Sequence, residues 1–258
     1  MMTRQVRVAF CTILVKETRR FLRIWPQTLV PPAVTMVLYF VIFGRVIGSR
    51  VGEMGGFDYT TFVVPGLVMM AVIMNSYANV ASSFYSGKFQ RSVEEMLVAP
   101  VPDWVILTGF VCGGVARGLM TALIVLLLSL FFVNFHVYSI FATFLAVFLT
   151  ALIFSLGGFI NGLYAQRFDD ISIVPTFILT PLTYLGGVFY SVKVLDPFWQ
   201  GVSHVNPVFY QVSAFRYGLL GYSDVSSQSV SILVMGAIAV ILVLFALRLL
   251  KTGKGLRH

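Results

Sequence analysis

Long uncharged stretches alternate with short charged segments along most of the chain. For example, 21 uncharged residues lie between Arg23 and Arg45, and 29 lie between Asp58 and Lys88. A helix needs about 20 apolar residues to cross the hydrocarbon core of a bilayer. The pattern therefore predicts six transmembrane helices. They lie near residues 27–47, 62–85, 112–133, 138–164, 172–190 and 228–250, and the polar turn Asn134–Phe135–His136 separates the third from the fourth.

One further uncharged interval, between Asp196 and Arg216, has a composition that argues against a seventh span. It contains polar groups and helix breakers that a lipid-facing helix does not tolerate. These are Pro197, Gln200, Gly201, Ser203, His204, Asn206, Pro207 and Gln211. We therefore predict that residues 191–227 form an outer re-entrant segment that dips into the membrane interface.

Basic residues set the predicted orientation, because cytoplasmic segments carry an excess of Lys and Arg. Six crossings place both termini on one side of the membrane, and both termini are basic. Their basic residues are Arg4, Arg7, Lys16, Arg19, Arg20, Arg23, Arg248, Lys251, Lys254 and Arg257. We expect both termini, and the loops at 86–104 and 165–171, in the cytoplasm.

The N-terminal segment has the periodicity of an amphipathic helix. Its apolar side carries Val6, Phe10, Ile13, Leu14, Phe21, Ile24 and Trp25, and its basic side carries Lys16, Arg19, Arg20 and Arg23. Such a helix lies flat on an anionic leaflet with its basic side toward the headgroups. We predict an interfacial helix over residues 4–25. The alternative is a simple orientation signal before the first span.

Composition supports a bilayer protein and excludes several other classes. The 258 residues are 58% hydrophobic and 11% charged, whereas soluble domains carry about 25% charged residues. An ordinary soluble enzyme, a disordered chain and a disulfide scaffold are therefore excluded. The two cysteines, Cys11 and Cys112, stand alone in separate segments. In a soluble chain, a net charge of +8 would indicate nucleic-acid binding. In a chain this apolar, we interpret the charge as that of a membrane protein instead.

Motifs for chemistry on this chain are absent from the sequence. It contains no G-x-x-x-x-G-K-[ST], H-E-x-x-H or G-x-S-x-G pattern. We therefore predict no catalytic residue, no metal site and no cofactor. No ionisable residue lies near the middle of a predicted span, and Arg45 and Arg117 lie toward span ends, where a long side chain reaches the interface. Ion-coupled carriers need buried ionisable groups, so a transporter of this kind requires an external ATPase.

The inner loop at residues 88–102 is the expected docking site for such a partner. Its apolar residues share one face of a short helix, its acidic pair projects outward, and prolines end the helix. A rigid helix of this kind fits a groove on a soluble protein. We assign ATPase coupling to Glu94, Glu95, Met96, Leu97 and Pro100. An amphipathic loop resting on the bilayer is the alternative.

Three motifs stand at defined places among the predicted elements. They are Glu-Glu-Met-Leu-Val-Ala-Pro at 94–100, Phe-Asp-Asp-Ile-Ser at 168–172 followed by residues 181–190, and Asn206–Pro207 followed by residues 215–218. Together they resemble the coupling helix, the fifth-span signature and the outer re-entrant hairpin of type-2 ABC exporter permeases, over essentially the whole chain. In one departure, many members have E-x-G-T before the coupling helix, where this chain has Arg91-Ser92-Val93.

The resemblance implies a multi-pass permease of the bacterial inner membrane, formed by a single transmembrane domain over residues 1–258. It implies a homodimer that associates with membrane lipid and with two copies of an ATP-binding cassette ATPase, which would hold ATP and magnesium. No nucleic-acid partner is implied. ATP-driven closure would push the 88–102 segment and the N-terminal helix, so that the two bundles rock and open a path between them.

Residue types in the fourth and fifth spans suit such a mechanism. A stripe of small residues on the fourth span permits close helix packing. It consists of Ala151, Ser155, Gly158 and Gly162. Pro175 and Pro181 can bend the fifth span. Asp169 and Asp170 are expected to cap its helix, with a contact to the ATPase as the alternative.

Aromatic residues are the candidates for a cargo path. We assign Tyr39, Phe43, Phe177 and Tyr184 to it, with ordinary packing at the membrane interface as the alternative. A path without charged groups favours a drug-like, lipid or glycan cargo over an inorganic ion. The sequence thus predicts an all-α polytopic exporter permease. The alternatives are an ion-coupled carrier or channel, and a non-transporting membrane scaffold.

Overall fold

The computed structural model describes residues 2–99, 101–134 and 136–253, except the side chains of Met2, Thr3, Arg45 and Leu97. The described chain is mostly helical, which confirms the predicted all-α class. The helices are α1 (Met2–Arg23), α2 (Trp25–Val51), α3 (Tyr59–Phe89), α4 (Ser92–Val98), α5 (Asp103–Ser129), α6 (Ile140–Tyr164), α7 (Asp170–Leu185), α8 (Pro197–Val205), α9 (Pro207–Leu220) and α10 (Gln228–Thr252). The short strands β1 (Glu53–Met54) and β2 (Phe57–Asp58) pair as a hairpin after α2, and Val192–Val194 forms a 3₁₀ turn.

Five of the described helices, α2, α3, α5, α6 and α10, are long and apolar enough to cross a membrane. They coincide with five of the six predicted spans. The remaining prediction, residues 172–190, falls on α7, an apolar helix of fewer than 18 residues. Helix α7 ends at Leu185 because two glycines follow, and Gly187 adopts a φ of +75° that other residues avoid.

Helices α2 and α7 each widen into a π-helical stretch, Phe40–Ile47 in α2 and Pro175–Leu179 in α7. In α7 the cause is local, because Pro181 has no N–H to donate to the carbonyl four residues earlier. The hydroxyl of Thr180 donates to the oxygen of Pro175 at 2.9 Å and satisfies one of the remaining carbonyls. Stretches of this kind are frequent at functional sites.

Helix α3 is the centre of the bundle and is buried along most of its length between α5 and α6. The predicted small-residue stripe on α6 is the surface that packs against it. A Cβ atom at Gly158 would collide with the backbone of Tyr77 in α3, and one at Gly162 would lie only 3.0 Å from the oxygen of Ala81. The contact therefore requires glycine at position 158 and a small residue at 162, and the stripe is confirmed as a helix-packing surface.

The outer segment 191–227 contains α8 and α9, which are separated at Asn206. The Asn206 side chain accepts a hydrogen bond from the amide of Val208 at 3.0 Å and donates one to the oxygen of Leu182 in α7 at 2.6 Å. Helix α9 packs against α3, α6 and α10 and is buried on almost every side. Neither helix has the length of a membrane span.

The N-terminal helix α1 lies against the first half of α5. Gly109 and Gly113 of α5 face Ile13 and Glu17, and their lack of side chains allows the two helices to approach closely. Helix α5 begins at Asp103, well before the predicted start at residue 112. Its early turns were missed because they pack on α1.

Candidate functional site

The predicted coupling segment forms α4, a helix of seven residues. Its start is fixed by Arg91, whose φ of +61° is the left-handed value rarely adopted by a residue other than glycine. The hydroxyl of Ser92 donates to the oxygen of Gly87 at 3.1 Å, and the side chain of Val93 is completely buried. Helix α4 is therefore held against the end of α3.

The exposed surface of α4 differs in part from the predicted one. Glu94 and Glu95 are exposed, as expected. Met96 is half-buried against the core, so the apolar side of α4 faces its own bundle. The side chain of Leu97 and the whole of Pro100 lie outside the described residues. Two apolar side chains that were not predicted for this region are exposed, Phe89 at the end of α3 at 79% and Val98 at the end of α4 at 88%.

Contacts at the inner ends of α3 and α6 connect α4 to the rest of the bundle. The ammonium group of Lys88 donates to the oxygens of Leu163 at 3.0 Å and Ala165 at 3.2 Å, where α6 leaves its last carbonyls without helical partners. The ring of Tyr85 packs against Phe89 and Phe168 at centroid distances of 6.4 and 6.1 Å. The end of α3 that carries α4 is thus bound to the end of α6.

The loop between α6 and α7 is organised by Asp170. Its carboxylate accepts hydrogen bonds from the amides of Arg167 and Gln166, both at 2.9 Å, and these bonds lower the pKa of the carboxyl group. The carboxylate thus stabilises the turn before α7. Asp169 is exposed and makes no capping hydrogen bond, and the Asp170 carboxylate binds amides that precede the helix, so the predicted capping of α7 is wrong for both residues.

The basic side of α1 is divided between two environments. Lys16, Arg19 and Arg23 are exposed, as an interfacial helix requires. Arg20 instead turns into the bundle, where one nitrogen donates to the backbone oxygen and to the side-chain oxygen of Asn79 at 2.8 and 2.9 Å. Its Nε lies 3.4 Å from the carboxylate of Glu17, which is completely buried. The prediction that Arg20 faces lipid headgroups is therefore wrong.

A second arginine, Arg117 of α5, also lies inside the bundle. Its Nη2 donates to the side-chain oxygen of Asn75 in α3 at 2.9 Å and to the backbone oxygen of Thr28 in α2 at 3.3 Å. The expectation that this side chain extends away to the interface is therefore wrong. Helices α2, α3 and α5 therefore meet at the positively charged side chain of Arg117.

Three of the four predicted cargo-path residues lie together, around an aromatic ring that the prediction left out. Phe189 stacks on Phe43 at a centroid distance of 4.7 Å, and it lies 6.1 Å from Tyr39 and 5.5 Å from Tyr184. Phe177, in the π-helical stretch of α7, is 73% exposed and lies outside this cluster. The sequence could have indicated Phe189, because this residue lies within 181–190, the segment that resembles the fifth-span signature.

A buried polar network connects α9 to the loop before α10. Arg216 of α9 pairs with Asp224, donates to the oxygen of Gly187 at 2.8 Å, and stacks over the ring of Phe62 in α3 at 3.9 Å. The carboxylate of Asp224 also accepts hydrogen bonds from Ser191 and Tyr222. Within the described ranges, no group of three or more His, Cys, Asp and Glu side chains is placed to hold a metal ion.

Comparison with known proteins gives two kinds of match. The sequence model of the ABC-2 type transporter family matches residues 8–220. Inner membrane transport permease YadH of Escherichia coli K12 is 58% identical over 253 residues, which cover 97% of each chain. Nodulation protein J of Neorhizobium galegae is 22% identical over 203 residues, which cover 78% of this chain and 77% of that protein. The family match extends from α1 to the end of α9.

Proposed function

The chain belongs to the ABC-2 type transporter family and is an inner-membrane transport permease, and we propose that it is the membrane subunit of an ATP-driven exporter. Two copies of the chain associate with two copies of a cytoplasmic ATPase subunit, which supplies the ATP and magnesium sites. The chain itself carries out no chemistry. Its work is to convert closure of the ATPase into movement of its helices.

The observation that carries this proposal is the construction of α4. Its acidic pair, Glu94 and Glu95, is exposed beside the apolar side chains of Phe89 and Val98. Its other side is anchored through Val93 and Lys88 to the ends of α3 and α6. An exposed surface on a rigidly attached helix suits the transmission of a push from a docked partner.

For the membrane topology, we propose six crossings with both termini in the cytoplasm. Helix α7, extended by the residues to 190, makes the fifth crossing. Helices α8 and α9 form the outer re-entrant hairpin. The burial of α9 and the break between α8 and α9 at Asn206 support this arrangement, because polar backbone within a membrane must be covered by protein. The exposed Lys16, Arg19 and Arg23 hold α1 at the lipid headgroups.

The proposed cargo path runs past the aromatic cluster of Tyr39, Phe43, Tyr184 and Phe189. Two of these residues come from α2, and the other two belong to α7 and the segment after it. Aromatic surface at the junction of two π-containing segments suits a bulky amphiphilic cargo of the drug, lipid or glycan class. Phe177 lies outside the cluster and is left out of the proposed path.

Co-purification with the partner ATPase tests this function. Glu94→Lys and Glu95→Lys together should abolish both co-purification and ATP-dependent export, while membrane insertion remains normal. Glu53→Lys is the matched control, because this exposed glutamate lies in the β1–β2 hairpin far from α4. Retained co-purification by the double variant would contradict the coupling role of α4.

A further inference from the structure

A cavity of about 360 Å³ lies between α2, α3 and α5. It follows α2 from Gln27 to Tyr39, a distance of about 18 Å at 1.5 Å per residue. Arg117 donates hydrogen bonds both to Thr28, near the start of α2, and to Asn75 of α3, so these residues lie together at one end of the cavity. The cavity is therefore elongated along the bundle.

One end of the cavity is polar and carries a positive charge. It is lined by Gln27, Thr28, Asn75 and Arg117. The partners recorded for the Arg117 guanidinium are neutral oxygens, and its buried Nε has no hydrogen-bond partner. The ion pairs found within the described part of the chain join other residues, Glu17 to Arg20 and Arg216 to Asp224.

The other end of the cavity is apolar, and its lining there includes Met36 and Tyr39 of α2. On α3, Met74 and Met70 follow Asn75 along the cavity wall. Methionine side chains are flexible and polarisable, and they adapt to apolar ligands of different shape. Tyr39 also belongs to the aromatic cluster of the proposed cargo path.

We propose that this cavity binds an anionic amphiphile. A phosphate or carboxylate group would accept hydrogen bonds from Arg117 and Asn75, and the apolar body would extend along the methionines toward Tyr39. A buried guanidinium without a carboxylate partner is costly, and an anionic ligand supplies the missing charge. The inference rests on the proposed function, because it names the charge class of the cargo, or of the lipid, that occupies the path.

Binding of radiolabelled decyl phosphate tests the proposal. The purified chain is placed in nanodiscs of phosphatidylcholine alone, without ATPase. We expect saturable binding that neutral decyl glucoside does not displace. Arg117→Gln should weaken binding by about 10-fold or more, because a charge-assisted hydrogen bond is lost. Arg117→Lys should retain most of the affinity, and Arg50→Gln, which removes an exposed charge from the end of α2, should have no effect.

Asn75→Asp is a second variant, nearly identical in shape, that places a carboxylate beside the guanidinium. It should abolish decyl phosphate binding while thermal stability is kept. Wild-type binding by both Arg117→Gln and Asn75→Asp, or equal displacement by decyl glucoside, would overturn the proposal.

A final arm identifies the source of the ligand. If phosphatidylglycerol added to the nanodiscs displaces decyl phosphate, the occupant is an anionic bilayer lipid, and if it does not, the occupant is cargo. Both results uphold the anionic site. Because no ATPase is present, loss of binding leaves the co-purification test unaffected, and failure of that test leaves the binding result unaffected.

Discussion

The Nη1 atom of Arg216 lies 2.9 Å from Oδ2 of Asp224, and each side chain is 1% exposed. This ion pair joins α9 to the loop before α10. Through Gly187 and Phe62 it also reaches the segment after α7 and the start of α3. Four parts of the protein are thus fixed around one buried guanidinium.

Removal of one member of this pair should destabilise the protein strongly. We expect Asp224→Asn or Arg216→Met to lower the free energy of unfolding by about 3–5 kcal/mol, because an unpaired charge remains buried. The double variant should cost much less than the sum of the two single variants. Thermal unfolding in detergent measures the effect, with the exposed Arg50→Met as control. If the effects of the two single substitutions on the free energy of unfolding add up to the effect of the double variant, the pair is not coupled.

Arg91 adopts a backbone conformation that favours glycine. Arg91→Gly should raise the free energy of unfolding by up to about 1 kcal/mol, whereas the β-branched Arg91→Val should lower it. The neighbouring Gln90 has a φ of −81°, so Gln90→Gly should destabilise the protein and is the matched control. Equal effects of glycine at both positions in the unfolding experiment would contradict the assigned backbone strain.

Asp170 should make the inner loop sensitive to acid. Because its pKa is lower in the folded protein, its carboxylate contributes stability above the unfolded pKa of about 3.9, and this contribution is lost as the pH falls through the folded pKa. The difference in melting temperature between the wild type and Asp170→Asn should therefore be largest at neutral pH and vanish in acid. A difference in melting temperature that stays constant from neutral pH into acid would refute the assignment.

Cysteine labelling tests the six-crossing topology. In a variant without Cys11 and Cys112, Val194→Cys should react with an impermeant maleimide in intact spheroplasts, because this exposed residue precedes the re-entrant hairpin on the outer side. Val98→Cys, on α4, should react only after the membrane is permeabilised. Labelling of Val194→Cys only after permeabilisation would reverse the assigned topology.

The sequence was sufficient to locate the long helices, because charges interrupt the apolar stretches near their ends. It gave less information about α5, whose first turns are covered by α1 and need no lipid-facing pattern. It also missed the extent of α7, since Gly186 and Gly187 end the helix within an uncharged stretch.

The contacts of buried arginines were beyond sequence reasoning. The partners of Arg20 and Arg117, Asn79 and Asn75, lie 59 and 42 residues away in the chain, and no local periodicity connects them. A positive charge was therefore interpreted as facing the interface wherever it lay near a span end. The tertiary packing of these helices decides otherwise, and Arg117 lines the cavity between α2, α3 and α5.

In the proposed mechanism this permease has no energy source of its own. The most direct test uses proteoliposomes loaded with radiolabelled decyl phosphate, the anionic amphiphile of the binding experiment, under an imposed proton or sodium gradient. We predict that vesicles with the chain alone behave as empty vesicles do, and that transport begins only when the partner ATPase and ATP are added. Gradient-driven movement of decyl phosphate by the chain alone, without ATP, would contradict this proposal.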